Sequence, residues 1–213
     1  MLAVRFLAVA SFALLLAACF PFSTRPGELA LYGITLDARA AAGPPVTWQL
    51  AIEEPVAIDP MASSRIVLVP EDRVYGVFKG ARWTDSGPRL IQTLLVRAFE
   101  DTRRITGVGR TRASIRPDFA LLSELRAFQA EYPRGGASEV SVVLSARMIR
   151  HTTNQAVSAR VFTARVPIEG KGAASAVASF AKALDELIPQ VVDWTFEIGN
   201  ATLEPPDLRQ RSE

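Results

Sequence analysis

The sequence predicts an α/β fold of mixed α+β character: one mixed, largely antiparallel sheet, with a central amphipathic helix and a C-terminal helix packed on it. Three observations carry that expectation. Residues 139–149 and 156–168 are runs of strand-like apolar patterning joined by the polar turn His151-Thr152-Thr153-Asn154. Leu90, Ile91, Leu94, Leu95, Ala98 and Phe99 recur at helical spacing as a single stripe. A second helical stripe follows at Val177, Phe180, Ala181, Leu184, Leu187, Ile188, Val191 and Trp194.

Before any of these elements comes an export pattern. Arg5 supplies a sparse positive region, residues 6–16 an apolar region, and small residues a cleavage site. The apolar run of about 11 to 14 residues falls short of the roughly 20 that a bilayer crossing needs, so it reads as a signal and not a spanning helix. Leu16-Ala17-Ala18-Cys19 resembles the lipobox of bacterial lipoproteins. The resemblance implies cleavage between Ala18 and Cys19, diacylglycerol on the Cys19 thiol, and a further acyl chain of palmitate type on the new amino group. Cys19 is the sole cysteine, so no intramolecular disulfide can form, and acylation consumes a thiol that an oxidising compartment would otherwise attack. Two or three acyl chains exceed the marginal binding of one, which makes the anchor stable. Among lipoproteins with such signals an Asp after the cysteine retains the protein on the inner membrane; Phe20 stands there instead and points to the outer membrane, facing the periplasm.

The expected division is residues 1–18 as signal peptide, 19–27 as lipidated tether, 28–202 as the folded domain and 203–213 as a charged, flexible tail. Two prolines and no periodicity fit 20–27 to a tether. A short strand is expected within 29–36, a loop over 38–45, and a half-buried strand where Trp48, Leu50 and Ile52 alternate with Gln49, Ala51 and Glu53. Asp59-Pro60 marks a turn. Residues 66–69 and 74–78, separated by Pro70-Glu71-Asp72-Arg73, read as a β-hairpin. Asp85 or Ser86 can cap the central helix, Pro88 suits its first turn, and Gly107 and Gly109 are expected to stop it. Residues 118–132 are ambiguous: their Ala, Leu, Glu, Arg and Gln content favours a helix, while their length between turns also allows a strand. In the last helix, expected over 175–198, Pro189 predicts a kink or two helices meeting, because a lost amide bond costs about 3 kcal/mol, and Gly199-Asn200 should close it.

The residues also exclude chemistry. There are 24 Lys+Arg against 22 Asp+Glu, and loss of Arg5 with the signal leaves about +1, so there is no electrostatic case for nucleic acid. His151, the only histidine, lies in a polar turn without a second His or Cys nearby in sequence, so an ordinary metal site or Ser-His-Asp arrangement is not expected. Gly107-Val108-Gly109 lacks the third glycine of a dinucleotide fingerprint, and no Gly-rich loop ends in Lys-Ser or Lys-Thr. The chain is therefore not expected to be an enzyme or to carry a cofactor other than covalent lipid on Cys19. Trp83 is a candidate partner-binding aromatic or a core staple, and Trp48 and Trp194 read as core.

Tyr75 to Asp85, ending Gly80-Ala81-Arg82-Trp83-Thr84-Asp85, continues as Pro88-Arg89-Leu90-Ile91-Gln92-Thr93-Leu94-Leu95. Further on come Leu122-Ser123-Glu124-Leu125-Arg126-Ala127-Phe128 and then residues 138–147. These segments resemble the ABC-type transport auxiliary lipoprotein family, which includes the paraquat-inducible protein C type. The resemblance implies that 118–132 is a strand. It also implies an accessory role beside an ABC permease and ATPase and a mammalian-cell-entry-domain protein that move lipid between inner and outer membranes, with phospholipid as a candidate ligand. The rival expectation is a general envelope-assembly lipoprotein that binds other proteins through its sheet edge or an apolar groove.

Overall fold

The computed structural model describes residues 29–37, 40–70, 74–110, 116–134 and 137–203. The signal, the tether, Ala18, Cys19, Phe20 and tail residues 204–213 lie outside them. In order, the elements are β1 (Ala30–Tyr32), β2 (Leu50–Ile52), β3 (Val56–Ala57), β4 (Arg65–Pro70), β5 (Gly76–Trp83), α1 (Gly87–Thr102), β6 (Val108–Arg110), β7 (Phe119–Tyr132), β8 (Glu139–Arg150), β9 (Gln155–Pro167) and α2 (Gly172–Leu203).

The spine of the mixed sheet is β7. Along one edge it pairs antiparallel with β8, which pairs antiparallel with β9. Its other edge is shared in turn by β2, β3 and β4, all parallel to it. β5 extends the sheet beyond β4 by the expected hairpin, β1 adds parallel to β5, and β6 adds parallel to β2. The antiparallel ladders through β7, β8 and β9 are the long ones, and the parallel pairings are short.

Segment 118–132 is a strand, although its composition favours a helix. A bulge between Leu125 and Ala127 leaves Arg126 out of the pairing and shifts the side-chain phase by one residue. Leu121, Leu125 and Phe128 are all buried as a result, at spacings of four and three that mimic a helix. In β8 every second residue, Val140, Val142, Leu144, Ala146 and Met148, is buried, and Ser141 on the other face is buried as well. β2 departs from the half-buried pattern: Leu50, Ala51 and Ile52 are all buried, because this strand lies between β6 and β7.

Ser86 caps α1, its side chain accepting from the Arg89 N–H at 3.5 Å, and Pro88 sits in the first turn. The helix does not reach the glycines expected to stop it. Arg103 takes a left-handed conformation (φ 56) and its N–H donates to the Glu100 carbonyl. Gly109 lies within β6, and a Cβ at Gly107 would fall 2.5 Å from Cγ of Gln49, so Gly107 serves close packing after the helix has ended. Gln92, placed outside the stripe by its polarity, is buried: its amide donates to the Ile52 carbonyl at 2.8 Å, and its carbonyl accepts from Arg110 Nε at 3.1 Å.

α2 is one helix of 32 residues that continues through Pro189 and through Gly199-Asn200. Neither breaks it because tertiary burial outweighs local preference. Leu187, Ile188, Val191 and Val192 are buried around the proline. Near the other position the Trp48 indole N–H donates to Asn200 Oδ1 at 3.0 Å, and its ring lies against Gly199. The buried set on α2 is wider than one stripe because the helix is covered from two sides: Trp194 meets Phe162 of β9, and Phe196 meets Phe99 of α1. A Cβ at Gly199 would fall 2.6 Å from Cζ2 of Trp48. Gly199→Val should therefore displace that indole and lower stability by about 1–3 kcal/mol, read as a shift in the urea midpoint at unchanged slope.

Candidate functional site

The sequence-predicted residues fall in three different places. Ala18, Cys19 and Phe20 lie outside the described residues. Trp83 is 1% exposed in the core, stacked on Phe128 at 5.3 Å and edge-on to Phe180 at 5.1 Å, so it offers no surface to a partner. His151 occupies the exposed turn between β8 and β9. Among the described residues no three His, Cys, Asp or Glu side chains are grouped so as to hold a metal, and no helix is long and apolar enough to cross a membrane.

The first surface feature is a cleft beside a clamped loop. The Asp37 N–H donates to Asp185 Oδ1 at 2.8 Å and the Ala41 N–H to Asp193 Oδ1 at 3.0 Å, which ties the segment after β1 to α2. Arg104 completes the clamp: it donates to the carbonyls of Pro44 and Ala41, and its guanidinium lies 3.8 Å over the Phe196 ring. Between the clamped segment, α1 and Pro189 is a cavity of about 250 Å³, lined by Leu36, Leu94 and Ala98 with Arg97 and Asp101. That is below the roughly 300–1,000 Å³ of ordinary ligand pockets.

The second feature is one end of the sheet, where β4 and β7 finish and β5 and β8 begin. A cavity of about 590 Å³ here is lined by Val69, Pro70, Tyr75, Gln129 and Tyr132. Tyr132 packs edge-on against Phe78, with ring centres 6.3 Å apart. The Tyr132 hydroxyl and Gln129 Oε1 are buried without a protein hydrogen-bond partner, and burial pushes the Tyr132 pKa up. Beside the cavity Arg165 pairs with Glu139 and, at 3.6 Å, with Glu131. Val74, Tyr75 and Val77, at and before the start of β5, are exposed. Their apolar pattern is visible in the sequence as half of a hairpin; that they stay uncovered is not, because it depends on which strands end beside them.

The third is the sheet face turned away from the helices. Val56, Glu124, Ser145 and Val161 form one row across β3, β7, β8 and β9, and Leu122, Arg147 and Ala159 form the next. Val56, Leu122 and Val161 are exposed on this face, in rows that also carry Glu124, Ser145 and Arg147. Among the described residues β9 pairs with β8 alone, which leaves a 13-residue edge open for strand addition.

Comparison with known proteins places these features in a family context. A family model described as the ABC-type transport auxiliary lipoprotein component matches residues 32–192. The uncharacterized protein bll6063 of Bradyrhizobium diazoefficiens is 29% identical over 146 residues, which cover 68% of this chain and 39% of that protein. The chain thus spans well under half the length of that relative. The crystal structure of protein XCC0632 from Xanthomonas campestris is similar at a TM-score of 0.76 and 29% identity, over 81% of this chain and 98% of the other. A second crystal structure, of an uncharacterized protein, shares the fold at a TM-score of 0.62 and 16% identity, over 79% of this chain and 99% of the other.

Proposed function

The chain belongs to the ABC-type transport auxiliary lipoprotein family, and from that premise we propose that it is a lipid-anchored accessory subunit of an envelope lipid transporter. It acts without catalysis and without a cofactor other than the lipid on Cys19. Its partners are an ABC permease and ATPase and a mammalian-cell-entry-domain protein, and their joint work sustains membrane integrity. One observation carries the reading: the family match over 32–192 falls on the folded domain, and a lipobox ending in Cys19 precedes it. The cleft by α1, at about 250 Å³, gives no support to a phospholipid held whole at that place.

Epistasis tests the function. Loss of this chain should sensitise cells to detergent as loss of the permease does, and the double deletion should be no more sensitive than either single one. An additive double deletion places the chain in another process. The open β9 edge and the apolar residues on the outward sheet face favour the second reading, an envelope-assembly lipoprotein that binds proteins through its sheet, and that additive outcome would support it.

The membrane follows from Phe20. The wild type should fractionate with the outer membrane, whereas Phe20→Asp should move it to the inner membrane with the fold unchanged. A wild type found in inner-membrane fractions overturns the placement.

A further inference from the structure

The exposed apolar side chains divide into two groups. Val56, Leu122 and Val161 are scattered over the outward sheet face, in rows that also hold Glu124, Ser145 and Arg147. Val74, Tyr75 and Val77 are 62%, 47% and 37% exposed and lie together where β5 begins, while Leu29, also exposed, precedes β1 level with Gly80. β1 runs parallel to β5, with Ala30 level with Ala81, so the first described strand points away from the end where β5 begins. A single exposed apolar residue needs no explanation, but a cluster of them marks an interaction site.

The chemistry of this end fits a lipid surface. Tyr75 is an amphipathic aromatic of the kind enriched at membrane interfaces, and Lys79, exposed on β5, can lay its stem along apolar surface and keep its ammonium among headgroups. Lys171, also exposed, follows β9 at the same end of the sheet, where β8 begins. Residues 19–28 can span at most about 35 Å when fully extended, comparable to the diameter of the domain. An acylated Cys19 therefore keeps the domain within about one diameter of the bilayer, and β1, the first described strand, runs away from the apolar end.

We infer that the end bearing Val74, Tyr75 and Val77 rests on the phospholipid bilayer that holds the acyl chains of Cys19. The inference rests on the lipid-anchor reading of Cys19. Anchor and protein surface together give the domain one orientation, with the start of β5 down. The turn at 151–154 and the C-terminal end of α2, which meet where Arg150 donates to the Thr202 carbonyl, then point away from the membrane toward a periplasmic partner.

Depth-dependent quenching tests this on the full lipidated chain. The acylated Cys19 carries no free thiol and is the sole cysteine, so Tyr75→Cys and, as a control on the outward sheet face, Val161→Cys can each take a single bimane label. The two labelled proteins are reconstituted into phosphatidylethanolamine and phosphatidylglycerol vesicles with and without a spin label near the headgroup. Bimane at 75 should shift to the blue and lose most of its emission to the spin label, while bimane at 161 keeps its own. Val77→Cys reports on the same end if Tyr75→Cys fails to fold. Equal quenching at 75 and 161 in protein that floats with the vesicles overturns the inference and leaves the anchor standing. Protein that carries no acyl group and fails to float overturns the anchor and the inference together.

Discussion

Trp83→Ala should lower the stability of the domain by about 3–5 kcal/mol, the cost of emptying a large aromatic site in a core that can only partly collapse. The indole stands where β5 runs into α1 and touches two other elements, β7 through Phe128 and α2 through Phe180. Those two rings also meet each other at 4.7 Å, so truncation removes one member of a closed three-ring cluster and loosens all three elements. The indole N–H is buried and has no partner, so no hydrogen bond is lost with it. For the same reason Trp83→Phe should recover most of the loss, since it keeps a ring and removes the unsatisfied donor. Against a total stability of about 5–15 kcal/mol, the alanine variant should show a large fall in the urea midpoint. A fall worth under about 1 kcal/mol would show that the ring is not packed as described.

Cys19→Ala should abolish acylation altogether, because no other cysteine exists to accept the lipid. Cells grown with labelled palmitate should mark the wild-type chain and leave the variant blank. Given an ordinary cleavable export signal in place of residues 1–18, the same variant should fold and be released from membranes by a salt wash. Each buried methylene contributes about 0.8 kcal/mol to anchoring, so two or three acyl chains hold far more tightly than a few side chains lying on a bilayer surface. Labelled palmitate on the Cys19→Ala chain would refute the lipobox reading.

Sequence reasoning succeeded where pattern and packing agree. β8 buries every second residue from Val140 to Met148, and the α1 stripe faces the core as its spacing requires. Segment 118–132 resisted composition and periodicity because the bulge at Arg126 resets the strand phase, and only the family resemblance pointed to a strand there. Gly199-Asn200, expected to close the last helix, lies inside it for another reason. Local propensity disfavours both within a helix, yet burial on two sides of α2 outweighs it, and Gly199 is needed where the Trp48 ring approaches. Gln92 was hidden by its polarity, since its burial depends on the Ile52 carbonyl forty positions away. Of the candidate functional residues, Cys19 is proposed from the sequence alone because the lipobox pattern is local. The exposed end around Tyr75 is a property of the assembled sheet, in which β1, β4, β5 and β7 meet only after folding.

Association with the transporter tests the central claim most directly. The lipidated chain, carrying a C-terminal affinity tag, is solubilised from native membranes in mild detergent and recovered, and its partners are identified by mass spectrometry. An ABC permease or ATPase together with a mammalian-cell-entry-domain protein should co-purify. Recovery of the folded, acylated chain with none of these subunits would contradict the account.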